Sequence, residues 1–362
     1  MNTGNKPALF YITDNGLAMA KRLNKLYPDA RVLKFDAETV SKIWQEYKTL
    51  IFIMAAGIVV RTIAPLLKDK KTDPAVVVLD EKGRFSVSLL SGHLGGANER
   101  AREIANFLNS ERGIVGGIKS PPRTEAVITT ASDVNSLLSI DLWALDNNLI
   151  IEDWKLVPQI GARLLNSGAL RVYTEIDLKL PEEFLKVSDP RFADIFITNK
   201  KDVYSNRPTC APNSDMQCST GDCHVKDQLY LRPGNLVLGI GCNSRTSADE
   251  IEDAVKKTLD EYNLALASIQ SISTIDIKAG EPGLISFAQK YKMEIASFTT
   301  SELNSVKGVE KSEAAFKATG ANAVAEPAAL LAAGAEKLLV PKQKIGNVTV
   351  AAAEKESNPL SP

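Results

Sequence analysis

His93 is one of only two histidines in this 362-residue chain, and it sits inside Ser91-Gly92-His93-Leu94-Gly95-Gly96. The apolar alternation of SVSLL precedes this turn and the helical pattern of ANERAREIANFL follows it. Glycine permits positive φ and lets a ligand come close to the backbone. A helix that begins just after such a turn offers unpaired N–H groups and the positive end of its dipole. An imidazole titrates near neutral pH and suits acid/base chemistry. The stretch therefore reads as a candidate reaction centre, against the plainer reading of a tight strand-to-helix turn in which His93 caps a local group. Glu99, in the helix, and Asp133, at another strand end, are carboxylates placed to orient the ring. Asp73, in KTDPAVVV, stands at the mouth of a strand.

Basic residues recur beside other glycine turns. Arg61 follows the Gly57 turn, Arg245 follows GIGCNS, Lys278 lies near Glu281, and Lys342 and Lys344 fall in the last hairpin. A lone lysine or arginine is usually solvated surface, but recurrence at strand ends points to a ligand with several carboxylates or phosphates, which guanidinium and ammonium groups pair with. A dinucleotide reading of GIGCNS fails at its third glycine, where Ser244 stands, and no Walker lysine motif is present. Cys210, Cys218, Cys223 and His224 invite a metal reading, yet their C-x7-C-x4-C-H spacing is not a zinc knuckle, so no metal site is expected. Cys242 lies in a glycine turn with no histidine beside it in sequence to activate it.

The elements that must hold these residues are α/β. ALFYIT, RVLKF and LIFIM read as strands, each followed by a helical pattern. LIFIM is almost wholly apolar, as a strand buried on both faces of a parallel sheet requires. AVVVLDEKGRFSVSLL reads as a hairpin over Asp80–Gly83, and AVITTASDVN as a strand entering a Ser/Asp-rich helix start. The loops Ala55–Gly57, Ser91–Gly96 and Thr129–Asp133 thus leave strand ends. Ligands of open parallel sheets bind at the carboxyl ends, so function in this half is expected to gather at all three loops. Further on, NLVLGIGCNSRTSADEI repeats strand, glycine turn and helix, with Ser247 and Glu250 as a capping box. TGANAVAEPAALLAAG predicts a helix with Pro327 at its first position and Gly334 past its end. The expected division is an N-terminal open, mostly parallel α/β domain over 1–141, a small middle α/β region over 142–230 and a C-terminal α/β domain over 231–354. The middle region carries a polar cysteine-rich loop at 201–228, and a flexible tail occupies 355–362.

Bulk numbers set limits on partners. Hydrophobic residues at 44% and charged residues at 24% suit a soluble globular protein. A net charge of −1 supplies no global field for nucleic acid or an anionic membrane, so neither is an expected partner. No run of about 18 apolar residues occurs, and MNTGNKPALFYITDNG lacks the apolar core of a signal peptide. A cytoplasmic location follows as the expectation, and with four cysteines no disulfide framework is expected.

IFIMAAGIVVRTIAPLLKDKKTDPAVVVLDEKGRFSVSLLSGHLGGANERA, with VITTASDVN after it, resembles the N-terminal domain of the CbiG family of cobalamin biosynthesis proteins. LRPGNLVLGIGCNSRTSADEI, STIDIKAGEPGL, TGANAVAEPAALLAAG and VTVAAAE resemble its C-terminal domain, shared with CobE. The resemblance covers most of Leu50–Asn135 and Leu231–Glu354 and leaves out the cysteine-rich segment. It implies cobalt-precorrin-5A hydrolase activity in the anaerobic, early-cobalt route to vitamin B12. Such an enzyme opens a δ-lactone on a ring-contracted cobalt tetrapyrrole and releases the former meso carbon, with its methyl group, as acetaldehyde, giving cobalt-precorrin-5B. Cobalt then belongs to the substrate and no separate cofactor is implied. The implied partners are the cobalt tetrapyrrole and neighbouring corrin-pathway enzymes. On this reading His93 is the base that activates water, the N–H groups of Gly95 and Gly96 hold the oxyanion, and Asp133 completes the catalytic set. Arg61, Lys70, Arg245 and Lys278 pair with the acetate and propionate groups of the macrocycle. Gly57, Asp73, Ser91, Gly92, Asn98, Thr130, Gly239, Gly241, Glu281 and Glu326 complete the expected substrate contacts. The alternatives are a non-catalytic tetrapyrrole carrier and a nucleotide-binding enzyme.

Overall fold

Apolar runs without a helical period become the inner strands. A computed structural model describes residues 6–69, 71–111, 123–135, 137–203 and 228–355. In the first of two compact units, Met1–Leu142, the strands β1 (Ala8–Tyr11), β2 (Arg31–Lys34), β3 (Thr49–Ile53) and β4 (Ala75–Leu79) alternate with α1 (Asp14–Leu23), α2 (Ala37–Ile43) and α3 (Ala56–Ile63). β3 and β4 are buried along their whole length, so both sheet faces must be covered. One face packs Met19, Leu23, Ile51, Ile53, Val77 and Ile104, and the other packs Phe10, Val40, Trp44, Phe52 and Val59. Thr13 and Asp36 cap α1 and α2, accepting the N–H groups of Gly16 and Thr39.

The hairpin over Asp80–Gly83 decides where this unit can do chemistry. It joins β4 to β5 (Phe85–Leu90), and β6 (Glu125–Val127) completes the order β2-β1-β3-β4-β5-β6. β1 to β4 are parallel, whereas β5 runs antiparallel to β4 with Val76 opposite Leu90 and Leu79 opposite Ser86. β6 is parallel to β5. The carboxyl ends of β5 and β6 therefore lie at the edge where β3 and β4 begin. The three loops do not gather as expected: Ala55–Gly57 leaves one edge of the sheet, and Ser91–Gly96 and Thr129–Asp133 leave the other. α4 (Ala97–Ser110), α5 (Ala131–Val134) and α6 (Ile140–Asp146) follow these last two loops.

The second unit, Trp143–Pro362, holds two sheets. β7 (Leu149–Ile151), β8 (Leu170–Thr174), β9 (Phe184–Lys186), β10 (Ile195–Ile197) and β11 (Leu229–Pro233), with α7 (Val157–Ser167), form the sheet β7-β11-β10-β8-β9. A boundary at 230/231 cuts through β11, which pairs with β7 and β10. Arg232, 2% exposed, ties that strand to Glu152 at 2.6 Å, so the middle sheet extends through Pro233.

The last sheet, in the order β14-β13-β12-β16-β15, contains β12 (Leu236–Cys242), β13 (Ile269–Ile275), β14 (Glu294–Phe298), β15 (Leu338–Ile345) and β16 (Val348–Glu354). β12, β13 and β14 are parallel, and the β15–β16 hairpin is antiparallel to them. Around it lie α8 (Ala248–Glu261), α9 (Asp276–Ala279), α10 (Pro282–Tyr291), α11 (Thr300–Ser305), α12 (Glu313–Thr319) and α13 (Ala325–Ala333). α13 begins two residues before Pro327, earlier than the sequence suggests, because a proline costs no hydrogen bond in a first turn whose N–H groups lack intrahelical partners. Gly239 lets α13 sit on β12: a Cβ there would collide with the Ala325 carbonyl oxygen and stand 2.9 Å from the Ala329 nitrogen. Close helix–sheet packing, not a ligand, accounts for that glycine. Among the described residues, no helix is long and apolar enough to cross a membrane.

Candidate active site

The turn after β5 is folded by its own backbone. Ser91 adopts φ 55° and Gly96 φ 81°, which brings the Ser91 and Gly92 carbonyls onto the N–H groups of Ala97 and Asn98 at 3.2 and 3.0 Å. The Gly96 N–H donates to the His93 carbonyl at 2.9 Å. The N–H groups of Gly96, Ala97 and Asn98 are thus already satisfied, and Gly96 is not an oxyanion donor. The Gly95 N–H has no acceptor among the described residues. Close packing explains two of the glycines: a Cβ on Gly92 would lie 2.7 Å from Asn98 Oδ1, and one on Gly95 would lie 2.5 Å from Ser91 Cβ.

Both nitrogens of the His93 ring have partners. Nε2 stands 2.6 Å from Asp133 Oδ2, with Ser132 Oγ 3.2 Å away. Nδ1 stands 3.2 Å from Ser139 Oγ and 3.9 Å from Asp141 Oδ1, and the Ser139 hydroxyl donates to Asp141 Oδ1. Asp133 further accepts hydrogen bonds from Asn98 Nδ2 at 2.8 Å and Arg102 Nη2 at 2.5 Å. Asn98, 4% exposed, also donates to Thr130 Oγ1 at 3.0 Å and so ties the two loops together. Burial pushes the Asp133 carboxyl up, but the hydrogen bonds and charges of Arg102 and His93 outweigh it and hold the group below the ordinary carboxylate range. An ionised carboxylate can only accept, so the proton facing it sits on Nε2.

His93, Asp133, Ser91, Gly92, Asn98 and Thr130 are therefore brought together, and Glu99 is not: it is exposed on α4. Asp73, 7% exposed, is spent on structure. Its carboxylate accepts the Lys68 N–H at 2.9 Å, and its carbonyl accepts Ser91 Oγ at 3.0 Å, so it anchors the turn and is not free to meet substrate. Gly57 and Arg61 lie at the opposite sheet edge, where Arg61 Nη1 donates to the Gly57 carbonyl at 3.0 Å, so neither joins the His93 site. Lys70 and the cluster Cys210, Cys218, Cys223 and His224 lie outside the described residues. Sequence reasoning missed Arg102, Ser132, Ser139 and Asp141. Arg102 follows Asn98 by one helical turn, which puts both on one face of α4, and that spacing was a usable signal. Ser139 and Asp141 open a helix as S-x-D, which reads as an ordinary cap.

In the second unit, a cavity of about 570 Å³ opens at the carboxyl ends of β12 and β13, between the β15–β16 hairpin, α12 and α13. Gly241, Lys278, Glu326, Lys342 and Lys344 line it. Lys278 Nζ donates to Ser244 Oγ at 2.7 Å and Glu281 Oε1 at 2.8 Å. The Lys278 hydrogen bond, then the Arg245 N–H, hold the Glu281 carboxyl below its usual range. Arg245 itself is exposed and does not line the cavity. Glu326, 8% exposed, accepts the Lys342 N–H at 3.0 Å, and Lys342 Nζ pairs with Glu310 at 3.1 Å. Lys344 has no ion-pair partner among the described residues. Burial pushes the Cys242 thiol up, Lys278 opposes this and Glu281 adds to it, so the group is held as a thiol and not as an activated nucleophile. Among the described residues, no cluster of histidine, cysteine and carboxylate side chains could hold a metal ion.

The cobalamin synthesis G N-terminal model matches residues 38–133, and the cobalamin synthesis G C-terminus model matches residues 236–353. A protein of Priestia megaterium named cobalt-precorrin-5A hydrolase is 35% identical over 374 residues, covering 96% of this chain and 94% of its own length. One of the same name from Salmonella typhimurium is 31% identical over 350 residues, covering 90% of this chain and 91% of its own length. Protein CobE of a Sinorhizobium species is 34% identical over 120 residues, 33% of this chain and 77% of CobE. The chain belongs to the CbiG family of cobalamin biosynthesis. His93 and Asp133 fall inside the N-terminal match, while Ser139 and Asp141 lie just beyond it.

Proposed function

We propose that this chain is a cobalt-precorrin-5A hydrolase: it opens the substrate's δ-lactone and releases acetaldehyde, leaving cobalt-precorrin-5B. The observation that carries the reading is the His93 ring held by Asp133 at 2.6 Å, in a chain whose near-full-length relatives bear that enzyme's name. Lactone opening needs a base and a donor for the tetrahedral oxyanion. With Nε2–H anchored on Asp133, the Nδ1 lone pair of His93 is the base, and the Gly95 N–H is the available backbone donor of the turn. The alkoxide freed from the lactone then collapses in a retro-aldol-like cleavage, leaving its electrons in the conjugated macrocycle as acetaldehyde departs. Cobalt enters as part of the substrate. Taken by itself, the cavity of the second unit, with Lys278, Lys342 and Lys344, suits an anion with several carboxylates, and Lys344, an ammonium without a carboxylate partner among the described residues, is its strongest attractor.

Incubation with cobalt-precorrin-5A, with acetaldehyde followed by alcohol dehydrogenase and NADH, tests the reading. Acetaldehyde should appear, and His93→Ala should slow it by about 100-fold or more. Tight pigment binding without acetaldehyde would replace the hydrolase with a carrier.

A further inference from the structure

We infer that Arg102 is a positioning residue of the His93 site: acting through Asp133, it sets which ring nitrogen of His93 carries the proton. The inference rests on the hydrolase reading above for the activity it serves, while the state of the ring can be read without substrate. Arg102 follows Asn98 by one turn of α4, and both reach across to Asp133. They divide its carboxylate between them. Oδ1 accepts from Arg102 Nη2 at 2.5 Å, and among the described residues Arg102 is its side-chain donor. Oδ2 accepts from Asn98 Nδ2 at 2.8 Å and faces His93 Nε2 at 2.6 Å. Each oxygen therefore has a donor of its own, and the oxygen that faces the ring is not the one that Arg102 holds.

The division matters because the ring proton follows what faces it. An acceptor opposite Nε2 keeps the proton there, and a donor opposite Nε2 drives it to Nδ1. Burial works against an ionised Asp133, and the Arg102 hydrogen bond stands first among the interactions that favour it. Arg102 thus keeps both oxygens of Asp133 acceptors. It does so at little gain in stability, because its side chain is nearly half exposed. The same exposure lets water solvate an amide NH2 once the guanidinium is gone. A positioning role and a structural one then part company. In Asp133→Asn the guanidinium claims the amide oxygen, and the NH2 faces Nε2. With Arg102→Met added, no cation holds the oxygen on that side. The oxygen turns to the Asn98 and His93 donors and the NH2 turns to solvent, so the second substitution undoes the first.

The test uses the full chain with its histidine ring nitrogens isotope-labelled for NMR. The chain has only two histidines, so His224→Gln assigns the His93 signals. Wild type should show the ring proton on Nε2, Asp133→Asn on Nδ1, and Asp133→Asn with Arg102→Met on Nε2 again. Acetaldehyde release from cobalt-precorrin-5A should be about tenfold or more faster in the double variant than in Asp133→Asn, a coupling within the range for residues in contact. Losses of unrelated origin add, so a merely structural Arg102 leaves the double variant no faster than Asp133→Asn and its ring signals the same. That result overturns the inference and leaves the hydrolase standing. Arg102→Met by itself should melt like wild type and raise the pH at which Asp133 gains its proton, since a carboxyl that loses a neighbouring cation is protonated more readily. An unmoved transition overturns the inference as well. A ring proton restored without faster release upholds Arg102 and removes the His93 tautomer from the mechanism. A wild type that releases no acetaldehyde removes the hydrolase reading, and the ring signals still decide the part of Arg102.

Discussion

Replacing Asp133 with asparagine probes the proposed pair of His93 and Asp133 with a change of only one atom. In the wild type, Asp133 Oδ1 accepts from Arg102 and Oδ2 accepts from Asn98 and from His93 Nε2. An asparagine must aim its NH2 at one of these groups. Facing it toward Arg102 sets two donors against each other, one of them a cation, so the amide oxygen stays with Arg102 and the NH2 turns to His93 and to Asn98, whose own amide must flip to present Oδ1. Nε2 must then become the acceptor, and the ring proton moves to Nδ1, where the base should be. Such a tautomer switch in a serine–histidine–aspartate enzyme costs about 10⁴-fold in kcat. The expected loss here is about 10³- to 10⁴-fold, or about 4 to 5 kcal/mol in the activation barrier. Acetaldehyde release under saturating cobalt-precorrin-5A reads it directly. Stability should change little, since the Arg102 side chain is 47% exposed and ion pairs at that exposure contribute weakly. A kcat within tenfold of wild type, in a variant that melts normally, would refute the tautomer argument and remove Asp133 from the mechanism.

Two further outcomes concern the second unit. Gly239→Ala should push α13 off β12 and cost about 3 kcal/mol, the upper end for overpacking; a urea midpoint equal to wild type would show that helix and sheet have slack there. Glu252 accepts from Lys256 at 2.6 Å, Lys290 at 2.5 Å and Tyr291 at 2.7 Å, and the hydrogen bonds of these three groups, Lys256 first, hold its carboxyl at about 2. Because the folded value lies below the unfolded value of about 4.3, the contribution is complete above that pH and is lost as pH falls toward 2. Wild type should therefore lose denaturant resistance more steeply than Glu252→Gln between about pH 5 and 2, the two converging at the acid end; parallel curves would contradict the ion cluster's role.

Much of the site was legible before the fold was known, and the reasons are local. SGHLGGAN announces itself by composition, and Asn98 and Thr130 sit beside a turn and at a helix start where short polar side chains are expected. Arg61 was placed with the His93 loop by counting strand ends without following strand direction. The hairpin over Asp80–Gly83 already contained the reversal, and tracing it is enough to place the Gly57 turn and the His93 turn at opposite edges. Asp73 and Gly239 were misassigned for another reason: a buried cap and a helix–sheet contact look the same in sequence as a ligand contact.

By itself, the amino-acid sequence determined the α/β class, the order of nearly every element, the glycine turn around His93 and the family motifs, because hydrophobic period, capping and turn chemistry act over a few neighbouring residues. Only the tertiary structure decided that the Gly96 N–H is spent, that Asp133 holds one ring nitrogen, and that Ser139, 46 residues away, meets the other. Those meetings depend on which strands pair and in which direction, and no local pattern encodes the distance between side chains that the chain brings together from afar.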